Sequence, residues 1–282
     1  MKRGIALVGA TGMLMGSAAV AQFGTAPAEL DLVEVTAGVY VIHNAFVPGN
    51  VTALVTDDGV LLVDTKYAID HDNVEAMLAE VTDQPIRFVV NTHYHDDHSG
   101  ANQNWQAGGA HVLASGNARL KMIDGGRSEG LPDTTIEDSV TVHIGGTRVE
   151  LYYFGRAHTD GDIVAYFPDH GVLATGDIYA NDPGTPELVD YAGGGSAREW
   201  PRTLTSALGL DFDTVVPGHG TVASRAELEG FRDETARLAE MVQSMRRQGR
   251  SRADIEAMLR SEFGFVDFHV DMSLDGLMVE LQ

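Results

Sequence analysis

The sequence predicts a layered α/β protein. Short apolar stretches rich in β-branched residues alternate with stretches in which apolar residues recur at helical spacing, a pattern typical of that class. The chain has 282 residues, 44% of them hydrophobic, which is enough to bury a core. A histidine or aspartate also follows the end of an apolar stretch at five places, namely Asp64, His93–His98, His158, Asp177 and His219. If these strands lie side by side, their ends meet at one edge of the sheets.

The first 21 residues predict a cleaved signal peptide. Lys2 and Arg3 form a basic start, residues 5–20 are apolar and rich in small residues, and Ala19–Ala21 fits the cleavage pattern. A membrane anchor is the alternative, but the apolar run is short and interrupted by glycines. We therefore expect a periplasmic or secreted protein that starts at Gln22 and has no stable membrane anchor after cleavage.

The composition limits which partners the protein can bind and which side chains can bind a metal ion. The chain contains no cysteine, so disulfides are excluded and only His, Asp and Glu remain as metal-binding side chains. The formal net charge is −22, and loss of Lys2 and Arg3 with the signal peptide would take it to −24. We expect no binding to nucleic acid, because such a surface repels phosphates.

Strands and one helix precede the histidine cluster. Asp57-Asp58-Gly59 predicts a hairpin turn, and Pro85 ends a stretch of helical spacing. The predicted strands are 33–42, 51–63 and 86–90, and the predicted helix is 70–81. Segment 46–50 contains Pro48 and Gly49 and is interpreted either as a mobile flap over a site or as a turn packed on the core.

The remaining chain continues the alternation. The predicted helices are 101–105, 117–123, 197–208, 226–247 and 252–263, and the predicted strands are 110–113, 139–144, 148–154, 163–167, 172–174 and 214–216. Glycines and prolines mark 124–135 and 181–196 as loops. We expect the second loop to shape access to a site.

The densest group of candidate ligands lies in residues 93–98. Three histidines and two aspartates occur within these six positions, directly after the predicted strand 86–90. His93 and His95 share one side of an extended backbone, and Asp97 and His98 then turn toward a neighbouring position. A solvated polar loop is the alternative interpretation. Imidazoles and carboxylates at this density favour a divalent metal site, with zinc the fitting ion.

Together with the later strand ends, the cluster gives seven candidate ligands. They are His93, His95, Asp97, His98, His158, Asp177 and His219. One zinc ion takes three or four such ligands, so seven suit two ions, with one carboxylate between them. Asp64 ends an apolar strand, and it either caps the next helix or orients a metal-binding histidine.

These motifs resemble those of the metallo-β-lactamase-fold hydrolases. The resemblance rests on His93-Tyr94-His95-Asp96-Asp97-His98, Gly155–Thr159, Thr175-Gly176-Asp177 and Pro217–Gly220, and it covers roughly residues 33–222. It implies a four-layer αβ/βα sandwich of two mixed sheets flanked by helices. We expect residues 22–282 to form one such domain, with C-terminal helices from about residue 224.

The resemblance also implies how the ligands divide. His93, His95 and His158 would bind one metal ion, Asp97, His98 and His219 would bind the other, and Asp177 would bridge the two. Asp64 matches the acid that usually ends this strand in the family. The expected cofactors are therefore two Zn²⁺ per chain.

The expected reaction is hydrolysis of a small molecule. Two zinc ions make a hydroxide available at neutral pH, which can attack an activated carbonyl, and Asp97 would orient it or accept its proton. We favour β-lactam hydrolysis as the named activity. However, zinc β-lactamases carry Cys or Ser where this chain has Asp177, and they often use a Lys or Ser soon after it to bind the substrate carboxylate. Residues 178–197 contain no Lys or Arg.

Several alternatives therefore stay open. Asp177 is the residue found in lactonases and in glyoxalase II-like thioesterases, and a phosphodiesterase could use the same ions. A diiron redox protein is a different class, but it usually carries glutamate at the position of His95. A non-catalytic metal-binding protein would not need the bridging Asp177. The oligomeric state is not predicted.

Overall fold

The three-dimensional structure is a computed structural model that describes residues 24–45, 47–181 and 188–282. The predicted signal peptide (1–21), Phe46 of the predicted flap, and residues 182–187 of the predicted long loop lie outside the described residues.

The first sheet has seven strands in sequence order. The first four are antiparallel neighbours, and the last three pair in parallel with the strand before them. These strands are β1 (Asp31–Thr36), β2 (Val39–His43), β3 (Val51–Thr56), β4 (Gly59–Val63), β5 (Ile86–Val90), β6 (His111–Ser115) and β7 (Thr134–Ile136). The predicted hairpin at Asp57-Asp58-Gly59 is confirmed, because Thr56 pairs with Gly59.

The second sheet has six strands and is also mixed, because only β11 and β12 pair in parallel. Its strands are β8 (Ser139–Ile144), β9 (Thr147–Tyr152), β10 (Val164–Phe167), β11 (Val172–Gly176), β12 (Thr214–Pro217) and β13 (Ala223–Ser224).

Eight α-helices and a 3₁₀ turn (Ala68–Asp70) occur in the described ranges. The helices are α1 (His71–Ala79), α2 (Asp96–Ser99), α3 (Asn102–Ala107), α4 (Gly116–Asp124), α5 (Trp200–Ala207), α6 (Arg225–Arg247), α7 (Arg252–Phe263) and α8 (Asp267–Glu280). Within the described ranges, every helix is too short or too polar to cross a bilayer.

Three apolar clusters define four layers. Leu61 of β4 and Leu151 of β9 belong to the cluster between the two sheets. Leu62, next to Leu61, points the other way and packs with Trp105 of α3, because successive strand residues face opposite sides. Leu259 of α7 belongs to the cluster that covers the outer face of the second sheet. The predicted αβ/βα sandwich of two mixed sheets is thus confirmed.

Some element boundaries differ from the predictions. The stretch 33–42 is two strands rather than one, because the chain turns at Gly38, whose φ of 80° suits glycine. Residues 134–136, expected to lie in or beside a loop, pair with β6 as β7. The predicted helix 197–208 begins only at Trp200, since Pro201 favours the first turn of a helix.

Candidate metal centre

The seven candidate ligands come together at one edge of the sandwich. His93 and His95 follow β5, and Asp97 and His98 lie on α2. The other three follow strands β9, β11 and β12 of the second sheet and are His158, Asp177 and His219. They form two groups, His93, His95, His158 and Asp177 in the first and Asp97, His98 and His219 in the second, with ligand atoms within 4.8 Å of one another in each.

In the first group, three ring nitrogens converge. His95 Nδ1 lies 3.0 Å from His93 Nε2 and 3.1 Å from His158 Nε2. In a tetrahedral site with Zn–N bonds of about 2.1 Å, neighbouring nitrogens lie about 3.4 Å apart. The three rings are therefore nearly in place to share one ion.

In the second group, His98 Nε2 lies 3.2 Å from His219 Nε2. Asp97 Oδ2 lies 3.5 Å from the first of these nitrogens and 3.4 Å from the second. The neighbouring Asp96 points away and pairs with Arg127 instead. Two imidazoles and one carboxylate thus face a second common point.

Asp177 lies between the two groups. Its Oδ2 is 3.9 Å from His93 Nε2 and 3.7 Å from His158 Nε2. Its carboxylate also lies 3.2 Å from His98 Nε2 through Oδ1 and 3.4 Å from His219 Nε2 through Oδ2. One carboxylate is therefore within reach of histidines from both groups, which is the position of a bridging ligand.

Four histidines use their outer ring nitrogen as a hydrogen-bond donor. His98 Nδ1 contacts Asp64 Oδ2 at 2.8 Å, and His95 Nε2 contacts Asp190 Oδ2 at 3.0 Å. His158 Nδ1 donates to the Leu188 carbonyl at 2.6 Å. His93 Nδ1 lies 3.1 Å from Thr92 Oγ1, whose own proton goes to Asp64.

This arrangement fits a bound metal. A neutral imidazole that donates from its outer nitrogen presents a lone pair on the inner one. The inner nitrogens of these four histidines all point into the cluster, where lone pairs about 3 Å apart repel one another unless a cation lies between them. Asp177 Oδ1 is buried and makes no well-aligned hydrogen bond within the described residues, although His98 Nε2 lies 3.2 Å away.

The protonation states follow burial and charge. Burial lowers the pKa of His93 well below its usual value and that of His158 to about 4, so both rings are neutral. Burial acts to lower the pKa of His98 as well, but the carboxylates of Asp177, Asp97 and Asp64 raise it. Metal binding at such a site displaces the proton.

Asp64 accepts a hydrogen bond from His98 and caps none of the described helices. Its two oxygens accept bonds from His98 Nδ1, the Thr92 amide and the Thr92 hydroxyl. Asp64 and Lys66 both have positive φ, 65° and 61°, an uncommon conformation outside glycine that is typical of functional sites. The turn sends the Asp64 carboxylate toward His98.

The structure adds Lys66 to the site, although the sequence did not indicate it. This residue binds the predicted flap segment. Its fully buried ammonium donates to Asn44 Oδ1 at 2.5 Å and to the Gly49 carbonyl at 2.7 Å. Burial lowers the pKa of Lys66 to about 7, although Asp70, Asp97 and Asp64 act to raise it. The segment is therefore held at the Gly49 carbonyl, and Asn44, just before it, is held through its side chain.

The same segment packs directly on the second group. Gly49 lies so close to the His98 ring that a Cβ atom would collide with it. Asn50 Nδ2 donates to the carbonyls of Pro217 and Gly220, on either side of His219. Of the two interpretations of residues 46–50, the described part fits the packed turn, since residues 48–50 are buried.

Asp190 is a second site residue that the sequence analysis missed. It accepts from the Tyr94 hydroxyl at 2.6 Å and from His95 Nε2 at 3.0 Å. Burial acts to raise its pKa, but these hydrogen bonds lower it. A weak signal was present, because Leu188-Val189-Asp190 repeats the apolar-then-acid pattern of Asp64 in a stretch too short to predict a strand.

The six other histidines, His43, His71, His111, His143, His170 and His269, belong to neither group. The His71 ring packs against that of Trp105 in a tilted arrangement with centroids 4.4 Å apart, and His269 Nδ1 accepts from the Val266 amide at the start of α8.

Sequence comparison places this site in a known superfamily. The sequence model described as "Metallo-beta-lactamase superfamily" matches residues 44–219, which include all seven candidate ligands. "Metallo-beta-lactamase type 2" of Bacillus cereus is 27% identical over 188 residues, or 64% of this chain and 71% of that protein.

Another relative carries a different name. "2,4-dinitroanisole O-demethylase subunit alpha" of Nocardioides sp. is 29% identical over 182 residues, or 63% of this chain. The match spans only about half of that subunit, 54% of its length.

Solved structures share the fold. "Metallo-beta-lactamase from Pontibacter korlensis" superposes with a TM-score of 0.66 at 22% identity, covering 74% of this chain and 99% of that one. Because the family match covers more than half of the chain and includes the whole histidine and aspartate cluster, the protein belongs to the metallo-β-lactamase superfamily of metallohydrolases.

Proposed function

We propose that this protein is an exported hydrolase that binds two zinc ions and attacks the activated carbonyl of a small molecule. The position of Asp177, within 3.2–3.9 Å of histidine nitrogens in both groups, is the observation that carries the proposal. A single carboxylate shared by two ligand sets is what a two-metal hydrolytic site needs.

Individual residues of this chain would have separate roles in the reaction. Zinc ions in this site would lower the pKa of a water molecule and polarise the substrate carbonyl. Asp97, whose Oδ2 faces His98 and His219, would orient the attacking water and accept its proton. Asp64 and Asp190 would keep His98 and His95 in the tautomers that face inward.

A β-lactam is the named substrate that we propose, supported by the names of relatives such as the Bacillus cereus protein. A lactone or thioester is the second candidate. It is favoured by Asp177, because the carboxylate at that position is the pattern of lactonases and glyoxalase II-like enzymes.

A substrate panel on the purified, zinc-loaded chain tests the proposal. Nitrocefin, a simple lactone, an S-acyl thioester and a bis-aryl phosphate represent the four hydrolytic alternatives. Hydrolysis of one of the three carbonyl substrates supports the proposal. Cleavage of the phosphodiester alone would contradict the carbonyl assignment. Metal analysis of the chain as purified, before zinc is added, completes the test, because two irons with visible absorption would indicate a redox protein.

The adjacent residues Asp97 and Asp96 provide a test variant and its matched control. We expect Asp97→Ala to lose about a hundredfold or more in kcat, because it removes a ligand and a proton acceptor together. Asp96→Ala should stay within about threefold of wild type, since its exposed side chain pairs with Arg127 outside the cluster. If the two variants had equal activity, the proposed role of Asp97 would be wrong.

Export is the remaining part of the proposal and rests on the signal-like pattern of residues 1–21. N-terminal sequencing of the protein from a periplasmic or secreted fraction should give Gln22 as the first residue. An intact Met1 in a cytosolic fraction would contradict it.

A further inference from the structure

The loop 188–198 fixes two histidines of the first group. The Leu188 carbonyl accepts from His158 Nδ1 at 2.6 Å, and Asp190 accepts from His95 Nε2 at 3.0 Å. These two bonds decide which ring nitrogens of His158 and His95 face the cluster. The orientation of both rings therefore depends on where this loop lies.

The C-terminal helix α8 holds the loop at three points. Ser273 Oγ donates to the Val189 carbonyl at 3.0 Å and accepts from the Val189 amide at 3.2 Å. Gly276 packs against the Tyr191 ring so closely that a Cβ atom there would collide with it.

Glu280, in the last turn of α8, makes the third contact. Its Oε2 accepts from the Tyr191 hydroxyl at 2.7 Å and from the Ala197 amide at 3.0 Å, and its Oε1 accepts from the Ser196 hydroxyl. A charged acceptor strengthens each of these bonds. One carboxylate thus ties residues 191–197 to the helix.

The helix itself is anchored by apolar packing, which includes Val189 of the loop but not Glu280. Leu274, Leu277 and Leu281 are buried with α6 and α7 on the outer face of the second sheet. Removal of the Glu280 side chain should leave this packing intact. α8 also lies beyond the family match, which ends at residue 219, so the family assignment gives this helix no role.

We propose that α8 is a positioning element of the metal centre and that Glu280 is its main positioning residue. Through the loop 188–198, the helix holds His95 and His158 with one ring nitrogen each directed into the first ligand group. The proposal rests on the proposed function only in taking that group as a metal site.

Three variants on the same helix test the idea. Glu280→Ala removes the acceptor for the Tyr191, Ser196 and Ala197 contacts. Glu280→Gln retains one acceptor oxygen and the side-chain length. Asp275→Ala is the matched control, because its exposed carboxylate pairs with Arg252, away from the loop.

The first readout is metal affinity, measured by Co²⁺ absorption and by chelator competition. Glu280→Ala should weaken one of the two ions by about tenfold or more and leave the other within about twofold, as loss of a ligand-orienting partner does. Glu280→Gln should recover most of the affinity, and Asp275→Ala should match wild type. Wild-type affinity for both ions in Glu280→Ala would overturn the proposal, as would equal weakening of both ions.

The second readout needs no metal, so it separates this proposal from the proposed function. Imidazole ¹⁵N spectra of the metal-free chain should show His95 protonated at Nε2 and His158 at Nδ1. In Glu280→Ala we expect both rings to become tautomer mixtures in a chain that stays folded, with a melting temperature lowered by a few degrees because buried donors lose their acceptor. Unchanged tautomers would overturn the role of α8 even if the wild type binds zinc. Altered tautomers in a chain that binds no zinc would instead contradict the proposed function alone.

Discussion

At the scale of single residues, the outer contacts of the histidines determine the inner chemistry. The outer N–H groups of three histidines donate hydrogen bonds. His98 donates to Asp64, His95 donates to Asp190, and His158 donates to the Leu188 carbonyl. The inner nitrogens of His95 and His158 are left with lone pairs, which is the form that binds a metal ion, whereas that of His98 would gain one when a metal ion displaces its proton. The residues around the cluster therefore set which nitrogen of each of these histidines faces it.

Replacement of Asp64 tests this dependence. Asp64→Asn should weaken the ion bound by His98 by about tenfold to a hundredfold, because the amide cannot accept all three bonds that the carboxylate accepts. Chelator competition measures the affinity. Asp58→Asn, an exposed aspartate in the β3–β4 hairpin, is the control. Equal affinities in the two variants would mean that Asp64 does not orient His98.

Lys66 provides a residue-scale prediction about stability. Lys66→Met should reduce the free energy of unfolding by about 2 kcal/mol, because Asn44 Oδ1 and the Gly49 carbonyl lose their donor while buried. Urea denaturation measures the change. Lys121→Met, which removes a surface pair with Asp160, should cost at most about 0.5 kcal/mol. A variant at Lys66 more stable than wild type would show that burying the charge costs more than its bonds return.

At the scale of elements, the candidate ligands lie at or just after strand ends, and α8 positions the loop that contacts His95 and His158. The start of α8 is itself capped by His269, whose Nδ1 accepts from the Val266 amide at 3.2 Å. Burial lowers the pKa of this ring to about 4. The helix therefore depends on a neutral histidine.

This cap predicts a pH dependence of stability. The unfolded chain binds a proton at His269 below about pH 6.5, whereas the folded chain does so only near pH 4. Its contribution is thus complete above pH 6.5 and is lost as the pH falls toward 4, by about 2 kcal/mol.

His269→Asn isolates this contribution, since asparagine keeps an acceptor for the Val266 amide and does not titrate. The free energy of unfolding, measured by urea at pH 7 and pH 4.5, should fall by about 2 kcal/mol less in the variant than in wild type. Parallel losses would show that His269 titrates normally in the folded chain.

Sequence patterns predicted the long and regular elements best. β5 has the predicted bounds 86–90, and α7 has the predicted bounds 252–263, because an apolar run ending at polar residues or a Ser cap marks each boundary. β7 was not predicted, because three residues are too few to show the alternation of a strand. Only their pairing with β6 makes them a strand. The break between β1 and β2 depends on a single glycine.

At the scale of the whole molecule, the cluster connects the two sheets. His93, His95, Asp97 and His98 follow β5 of the first sheet, whereas His158, Asp177 and His219 follow strands of the second. Ions bound by both sets would join the two halves of the sandwich.

Metal binding should therefore stabilise the fold. A ligand at a hundredfold excess over its dissociation constant adds about 2.7 kcal/mol, so two ions should add about 5 kcal/mol. For a domain of this size, we expect a chelator to lower the melting temperature by about 10 °C. Thermal unfolding with and without chelator measures the shift, and Asp177→Asn should show a smaller one. A melting temperature insensitive to chelator in wild type would contradict metal bridging between the sheets.

The sequence indicated the seven candidate ligands and Asp64, but not their other supports. The ligands stand in short motifs at strand ends, and such motifs are visible without the fold. Lys66, Asp190 and Glu280 act over separations of 17 to 95 residues, through contacts that only the folded chain creates. No local pattern marks Glu280, because the partners of its carboxylate lie in or beside a glycine-rich loop far from it in sequence.

We propose above that this chain hydrolyses a small molecule with two zinc ions, which Asp177 and the six other candidate ligands would hold. The most direct test adds zinc stepwise to the metal-stripped chain and follows hydrolysis of nitrocefin and of a lactone. We expect the rate to rise with added zinc and to level off at two equivalents per chain. A rate that levels off at one equivalent, or no hydrolysis of either substrate at any zinc level, would contradict the claim.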